Sequence, residues 1–219
     1  MTPSDLPELT IAVLGGTGEQ GRGLARRFAL AGVPVVLGSR DAQRAAEIAA
    51  ELPPGVSGAD NAQAAQRGDV VVVAVPWAGH AVLLESVRAA LVGKIVVDCV
   101  NPLGFDAQGA FGLVVPEGSA AQQAQALLPE SRVVAAFHHV SATLLLDETL
   151  DRVETDVLVL GDDREATDQV QALAGLIPGM RGVYAGRLRN AGQVEALTAN
   201  LISVNRRHRT HAGVRVTGV

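Results

Sequence analysis

The sequence predicts an α/β fold: a doubly wound, mainly parallel sheet followed by a small C-terminal lobe. Three observations carry that reading. Short apolar runs alternate with helical patterns from Thr10 to His139, the order that lays helices on both faces of a parallel sheet through right-handed crossovers. The first run, Ile11 to Leu14, passes straight into Gly15 and then Gly16, Gly18 and Gly21, a G-x-G-x-x-G spacing that opens a helix carrying Leu24, Phe28 and Ala31. Of the 219 residues, 48% are hydrophobic and only 3% aromatic, enough for one compact unit with an aliphatic core. In this context Gly16 is expected to make the tight turn, Gly18 to admit a pyrophosphate to the backbone, and Gly21 to let the helix pack on the strand. Thr17, Glu19 and Gln20 complete the turn, and the unpaired amides of the helix face the phosphates. The fold is therefore read as Rossmann-type and the ligand as a dinucleotide.

The second strand is expected over Val33 to Leu37, ending at Gly38, Ser39 and Arg40. An NAD site usually carries a carboxylate here for the ribose 2′-hydroxyl. Ser39 and Arg40 stand there instead, with Arg44 a helical turn later, and a guanidinium pairs with the 2′-phosphate that a carboxylate would repel. The expected cofactor is NADP. Asp41 fits the first turn of the next helix. Ala42 to Leu52 reads as that helix, Val56 to Asp60 as a short strand and Asn61 to Gln66 as a short helix.

Asp69 to Val75 is the most apolar strand pattern and ends at Pro76 and Trp77, at the carboxyl edge where doubly wound folds bind ligands. His80 begins the next helix, its ring within reach of a ribose or phosphate or simply on the surface. Ile95 to Val100 is a further strand ending at Asn101 and Pro102. Leu103 to Pro116 is expected to be an irregular loop over the site. After a helix over Ser119 to Leu128, the strand Arg132 to Phe137 delivers His138 and His139 to the same edge. Residues 1–141 form the expected dinucleotide domain and residues 142–219 the small lobe, with a strand over Asp156 to Leu160, a helix over Glu165 to Leu176 and a last helix over Asn190 to Arg206. The apolar tail from His211 to Thr217 is expected to fold back onto the body.

Composition removes several function classes. The net charge of −5 gives no electrostatic footprint for nucleic acid. Cys99 is the only cysteine, which excludes an intrachain disulfide and a thiolate metal cluster. No run approaches the ~20 apolar residues of a membrane span, and Met1 to Leu9 lacks the pattern of a signal peptide; a cytoplasmic protein is expected. No hydrolytic motif is present, and no metal site is expected, because His138 and His139 would face opposite ways on a strand. The only lysine, Lys94, precedes a strand at the edge away from the site. A carbonyl reductase needs a proton donor, and only His138, His139 and His80 qualify, none with an orienting partner in the sequence. Hydride exchange between two stacked cofactor rings asks for less side-chain chemistry.

Gly15 to Gly18 with Gly21, Gly23 and Leu24, then Gly38 to Arg40, then Val75 to Trp77, and the tail from His211 to Gly218 together resemble the coenzyme F420-dependent NADP reductases over most of the chain. The resemblance implies reversible hydride transfer between NADPH and the deazaflavin coenzyme F420. It also implies that Thr17 to Gln20 hold the pyrophosphate, that Ser39, Arg40 and Arg44 hold the 2′-phosphate, and that Val75, Pro76 and His80 flank ribose and nicotinamide. Trp77 would contact the cofactor or fill the core. His138, His139, Val140 and Ser141 with Ala212 and Gly213 would meet the two rings, and Asn101 and Pro102 the deazaflavin floor. His138 or His139 would position the rings or relay a proton. The family is generally homodimeric. An NADP-dependent imine or keto-acid reductase and a non-catalytic NADPH sensor are the competing readings.

Overall fold

The computed structural model describes residues 9–219; the polar lead and the signal-peptide reading lie, as far as residue 8, outside the described residues. The chain runs β1 (Ile11–Leu14), α1 (Glu19–Leu30), β2 (Val35–Ser39), α2 (Ala42–Ala50), β3 (Val56–Asp60), α3 (Asn61–Arg67), β4 (Val70–Val73), α4 (His80–Leu91) and β5 (Ile95–Asp98). It continues through β6 (Leu103–Asp106), β7 (Gly109–Gly112), α5 (Ala120–Leu127), β8 (Arg132–Ala135), α6 (Ala142–Leu146), β9 (Thr155–Gly161), α7 (Arg164–Gly175), β10 (Met180–Gly186) and α8 (Ala191–His208). The eight-stranded sheet has the order β10-β9-β8-β5-β4-β1-β2-β3, parallel throughout except for the antiparallel pair β8 and β9. This is the doubly wound α/β fold that the alternation predicts.

Period-two alternation splits the core between the two faces. Ile11 and Val13 join Leu24, Phe28, Val97 and Leu145 on one side, while Ala12 and Leu14 join Val36, Val71, Leu84 and Ala124 on the other. The helix starts follow short-range chemistry. Asp41, Asp60, Ser119 and Asp163 each accept a backbone N–H from the first turn of α2, α3, α5 and α7. Among the described residues no helix is long and apolar enough to cross a membrane.

Three expectations change. Residues 103–112 form an antiparallel hairpin, not an irregular loop; Asp106 Oδ1 accepts the amides of Gln108 and Gly109, and Gly109 turns at φ 126°. The strand before the histidine pair stops at Ala135, and Phe137 adopts φ 63°. His138 and His139 therefore sit in a turn, where the opposite-faces argument does not apply, and both are buried. The edge strand β10 was not expected, since its half-buried pattern has no apolar run. Within residues 142–219, β9 and β10 extend the sheet of the first part.

Candidate functional site

Pairings of Leu14 with Gly38 and Val73, of Val73 with Asp98, and of Asp98 with Ala135 bring β2, β1, β4, β5 and β8 to an end on one level. The segments 15–21, 39–44, 74–80, 99–102 and 136–141 therefore leave from a single edge, the place where open parallel sheets bind ligands. These segments contain all the sequence-nominated site residues except Ala212 and Gly213.

The glycine turn is built by close approach. Gly15 carries the left-handed φ of 71°, a role expected of Gly16. A Cβ on Gly16 would lie 2.5 Å from Leu37 Cδ2 and 2.7 Å from the Val13 carbonyl, and one on Gly21 would lie 2.7 Å from Gly16 Cα. Gly16 and Gly21 thus let strand, turn and helix interlock. Gly18 is different: a Cβ there would meet nothing nearer than 3.7 Å. Gly18 begins α1 without any side-chain cap, so the first-turn amides beside exposed Gly18 and Glu19 are left for an anion. Thr17 and Gln20 are half-buried, and Gln20 Nε2 donates to the Phe137 carbonyl at 3.3 Å, tying this loop to the histidine turn.

At the end of β2 the Ser39 hydroxyl is buried and accepts the Asp41 amide. Arg40 and Arg44 are exposed, and among the described residues neither guanidinium has a carboxylate partner. Two free cations stand beside a strand end on this side of the glycine turn.

On the other side Val75 and Trp77 are half-buried and Pro76 is exposed. His80 departs from expectation. Its ring is fully buried, with Nε2 2.6 Å from Asp98 Oδ2 and Nδ1 3.0 Å from Gln123 Oε1, so it does not face a ribose or phosphate. Burial disfavours its charged form, but the charge and hydrogen bond of Asp98, with Gln123 and Glu195, outweigh burial and raise its pKa. Asp98 Oδ1 also accepts the Val100 amide and so shapes the turn leading to Asn101 and Pro102. Asn101 Nδ2 donates to the His138 carbonyl at 2.8 Å, and Thr198 Oγ1 donates to the same oxygen at 3.1 Å.

The histidine turn holds its rings without ionising them. Neither ring nitrogen of His138 has a hydrogen-bond partner, and burial pushes its pKa down to about 4. His139 Nε2 donates to the Asp156 carbonyl at 2.8 Å, and burial lowers its pKa as well. Val140 is buried, Ser141 is half-buried, and Ser141 Oγ lies 3.4 Å from His211 Nδ1 of the tail. The tail does fold back. Asp156 anchors it by accepting Arg181, Arg215 and the Val216 amide, while its own amide donates to the Val214 carbonyl. Ala212 donates to Asn205, and Gly213 lies against Thr155, where a Cβ would come within 2.7 Å of its hydroxyl.

A family model for coenzyme F420-dependent NADP oxidoreductases matches residues 10–102. An F420-dependent NADP reductase from Methanothermobacter marburgensis is 40% identical over 96% of this chain and 99% of its own length. The chain belongs to the F420-dependent NADP reductase family. A crystal structure from Arthrobacter sp. FB24, provisionally assigned to the same activity, superposes with a TM-score of 0.82 at 28% identity over 95% of this chain and 99% of that one. An imine reductase from Streptomyces aurantiacus shares the fold, with a TM-score of 0.62 at 22% identity, and this chain covers 62% of it.

The residues of this family member fit a dinucleotide. The uncapped helix start, the open space at Gly18 and the unpaired Arg40 and Arg44 form one anion-binding cradle. The buried Asn101 Oδ1, the His138 ring nitrogens and His139 Nδ1, on segments that leave the same edge, have no hydrogen-bond partner. Sequence reasoning missed Asp98, Gln123, Thr198, Glu195 and Asp156. Asp98 and Asp156 left one signal, an acidic residue within an apolar strand run; the others left none, because they act from helices far away in the chain.

Proposed function

We propose that the protein catalyses reversible hydride transfer between NADPH and coenzyme F420. Family membership supports the reaction, and one structural observation carries it: at the edge that offers an anion-binding cradle, the three histidines nominated as proton donors are buried, and two of them are hydrogen-bonded. His138 is buried and unpaired, His139 is spent on a backbone carbonyl, and His80 faces Asp98. An imine or keto-acid reductase needs an acid beside the new hydroxyl or amine. When bound, the two rings supply the whole electron-pair chemistry, and the protein has to hold them with the reacting carbons about 3–3.5 Å apart.

In this reading Gly16, Thr17, Gly18, Glu19, Gln20 and Gly21 bind the pyrophosphate through backbone amides. Ser39, Arg40 and Arg44 bind the 2′-phosphate. Val75, Pro76 and Trp77 flank the ribose and nicotinamide. Asn101, Pro102, His138, His139, Val140 and Ser141 form the deazaflavin side, with Ala212 and Gly213 closing it. His138 and His139 position the rings as neutral groups. The protein works in the cytoplasm as a homodimer, which Phe105 and Val114, 71% and 95% exposed around the hairpin beside α8, support as apolar contact material.

Anaerobic mixing of the enzyme with NADPH and coenzyme F420, followed by the visible absorbance of the deazaflavin, tests the reaction. Fast bleaching with NADPH and slow bleaching with NADH is the expected result. No bleaching, with NADPH binding measured separately, overturns the deazaflavin assignment.

A further inference from the structure

The buried ring of His80 stands between two acceptors. Asp98 Oδ2 faces Nε2, and Gln123 Oε1 faces Nδ1. The orientation of the Gln123 amide follows from its other end, where Nε2 lies 3.4 Å from both carboxylate oxygens of Glu117. The flipped amide would set an oxygen against that carboxylate and an NH2 against the ring. With a carboxylate on one side and an amide oxygen on the other, each ring nitrogen must carry a proton to make its bond. The ionisable groups around the ring agree: Asp98 from β5 and Glu117 ahead of α5 are acidic, as is Glu195 from α8, whose pKa burial raises to about 7. Above the ring lies the only tryptophan of the chain, Trp77, with ring centroids 5.4 Å apart and planes inclined by 33°. That separation is within cation–π range.

We propose that His80 is a positioning residue, a permanent imidazolium clamped between Asp98 and Gln123 that holds the Trp77 ring as one wall of the dinucleotide cleft. The clamp spans four segments: the turn after β4, the end of β5, α5 and the start of α4. It removes His80 from proton transfer and gives it a task that a neutral ring would perform less well, because the attraction to the indole face needs the charge. Its place in the cleft rests on the dinucleotide reading given above.

The single tryptophan makes the test direct, because a protonated imidazole quenches a neighbouring indole and a neutral one does so far less. In the ligand-free wild-type enzyme, Trp77 emission should stay low and flat between about pH 5 and 8, the span in which an ordinary histidine titrates. His80→Gln should be brighter and equally flat. Asp98→Asn should brighten as pH rises, with a midpoint at or below the ordinary value of about 6.5, since burial is then no longer outweighed. A wild-type midpoint anywhere within that span, or a His80→Gln variant no brighter than wild type, overturns the proposal. If Asp98→Asn does not fold, the 15N shifts of the His80 ring in the unmodified enzyme decide between one and two ring protons. NADPH is then added to the wild type. Quenching of Trp77 supports its place in the cleft, whereas binding without quenching overturns that place and leaves the imidazolium reading to the pH data alone.

Discussion

Gly23 is predicted to be irreplaceable for a reason opposite to its helix propensity. It lies inside α1, where alanine is normally favoured by about 1 kcal/mol. A Cβ there would fall 2.6 Å from Leu145 Cβ and 3.2 Å from Leu145 Cδ1, and Leu145 is completely buried in α6. The contact is with the root of the side chain, so a rotamer change does not relieve it and α6 itself has to retreat. It has little room to do so. Buried Arg27 donates to the carbonyls of Leu144, Leu145, Asp147 and Leu150 at 2.7–2.9 Å and fixes α6 and the loop after it to α1. Overpacking of this kind costs about 1–3 kcal/mol, and set against the propensity gain the net destabilisation of Gly23→Ala is about 0–2 kcal/mol. That corresponds to a Tm lower by up to about 8 °C for a chain of this size. Thermal melts of Gly23→Ala, Leu145→Ala and the double variant measure it. Leu145→Ala alone should cost about 2–5 kcal/mol, and the double variant less than the sum, because the new methyl enters the space Leu145 vacates. A Gly23→Ala variant with a raised Tm, or strict additivity in the double variant, refutes the packing argument.

Three further outcomes are expected. Arg40→Ala removes a charge-assisted contact of about 1.5–3 kcal/mol, so kcat/KM for NADPH should fall about ten- to hundredfold, with a much smaller change for NADH in parallel steady-state assays. Glu195 is held by the amides of Ala120 and Ala121, yet burial pushes its pKa up from 4.5 to about 7; the native state keeps a proton there that the unfolded chain has lost, so this group erodes stability as pH rises from 4.5 to about 7. Urea titrations across that range should show Glu195→Gln with a flatter pH dependence than wild type, by up to about 3 kcal/mol. The Asp156 carboxyl is held far below the usual carboxylate range, first by its hydrogen bonds to Arg181, so the tail stays docked at any ordinary acidic pH; Asp156→Asn removes the shared acceptor of Arg181, Arg215 and the Val216 amide, and limited proteolysis should then cut after Arg209 or Arg215 faster than in the wild type.

The frame of this structure was legible because local chemistry writes it. Valine-rich runs, the spaced glycines, and Asp41 and Asp163 as helix caps are decided by neighbours within a few residues, and the structure has all of them where local reasoning expects. Lys94, expected away from the site, spends its ammonium on the carbonyls of Ala65, Gln66 and Gly68. Local reasoning failed where backbone geometry departs from pattern. Phe137 in the left-handed region ends β8 early, and an aromatic residue gives no warning of that conformation. The half-buried edge strand β10 and the hairpin 103–112 carry no apolar run to mark them.

The protonation states of the site were illegible for a deeper reason, and they are what decide the chemistry. Three histidines looked like candidate acids because no partner stood near them in sequence. Their partners come from 17, 18 and 43 residues away: the Asp156 carbonyl for His139, and Asp98 and Gln123 for His80. For His138 burial is the largest influence and outweighs the charge of Asp98, and no short motif encodes it. The folded chain thus withdraws each ring from proton transfer by a different route: neutral and dry, neutral and tethered, or charged and clamped. A site assembled this way holds two rings against each other better than it passes a proton to a ketone through these three histidines. The reaction is selected as much by what tertiary structure takes away from these side chains as by what the glycine turn provides.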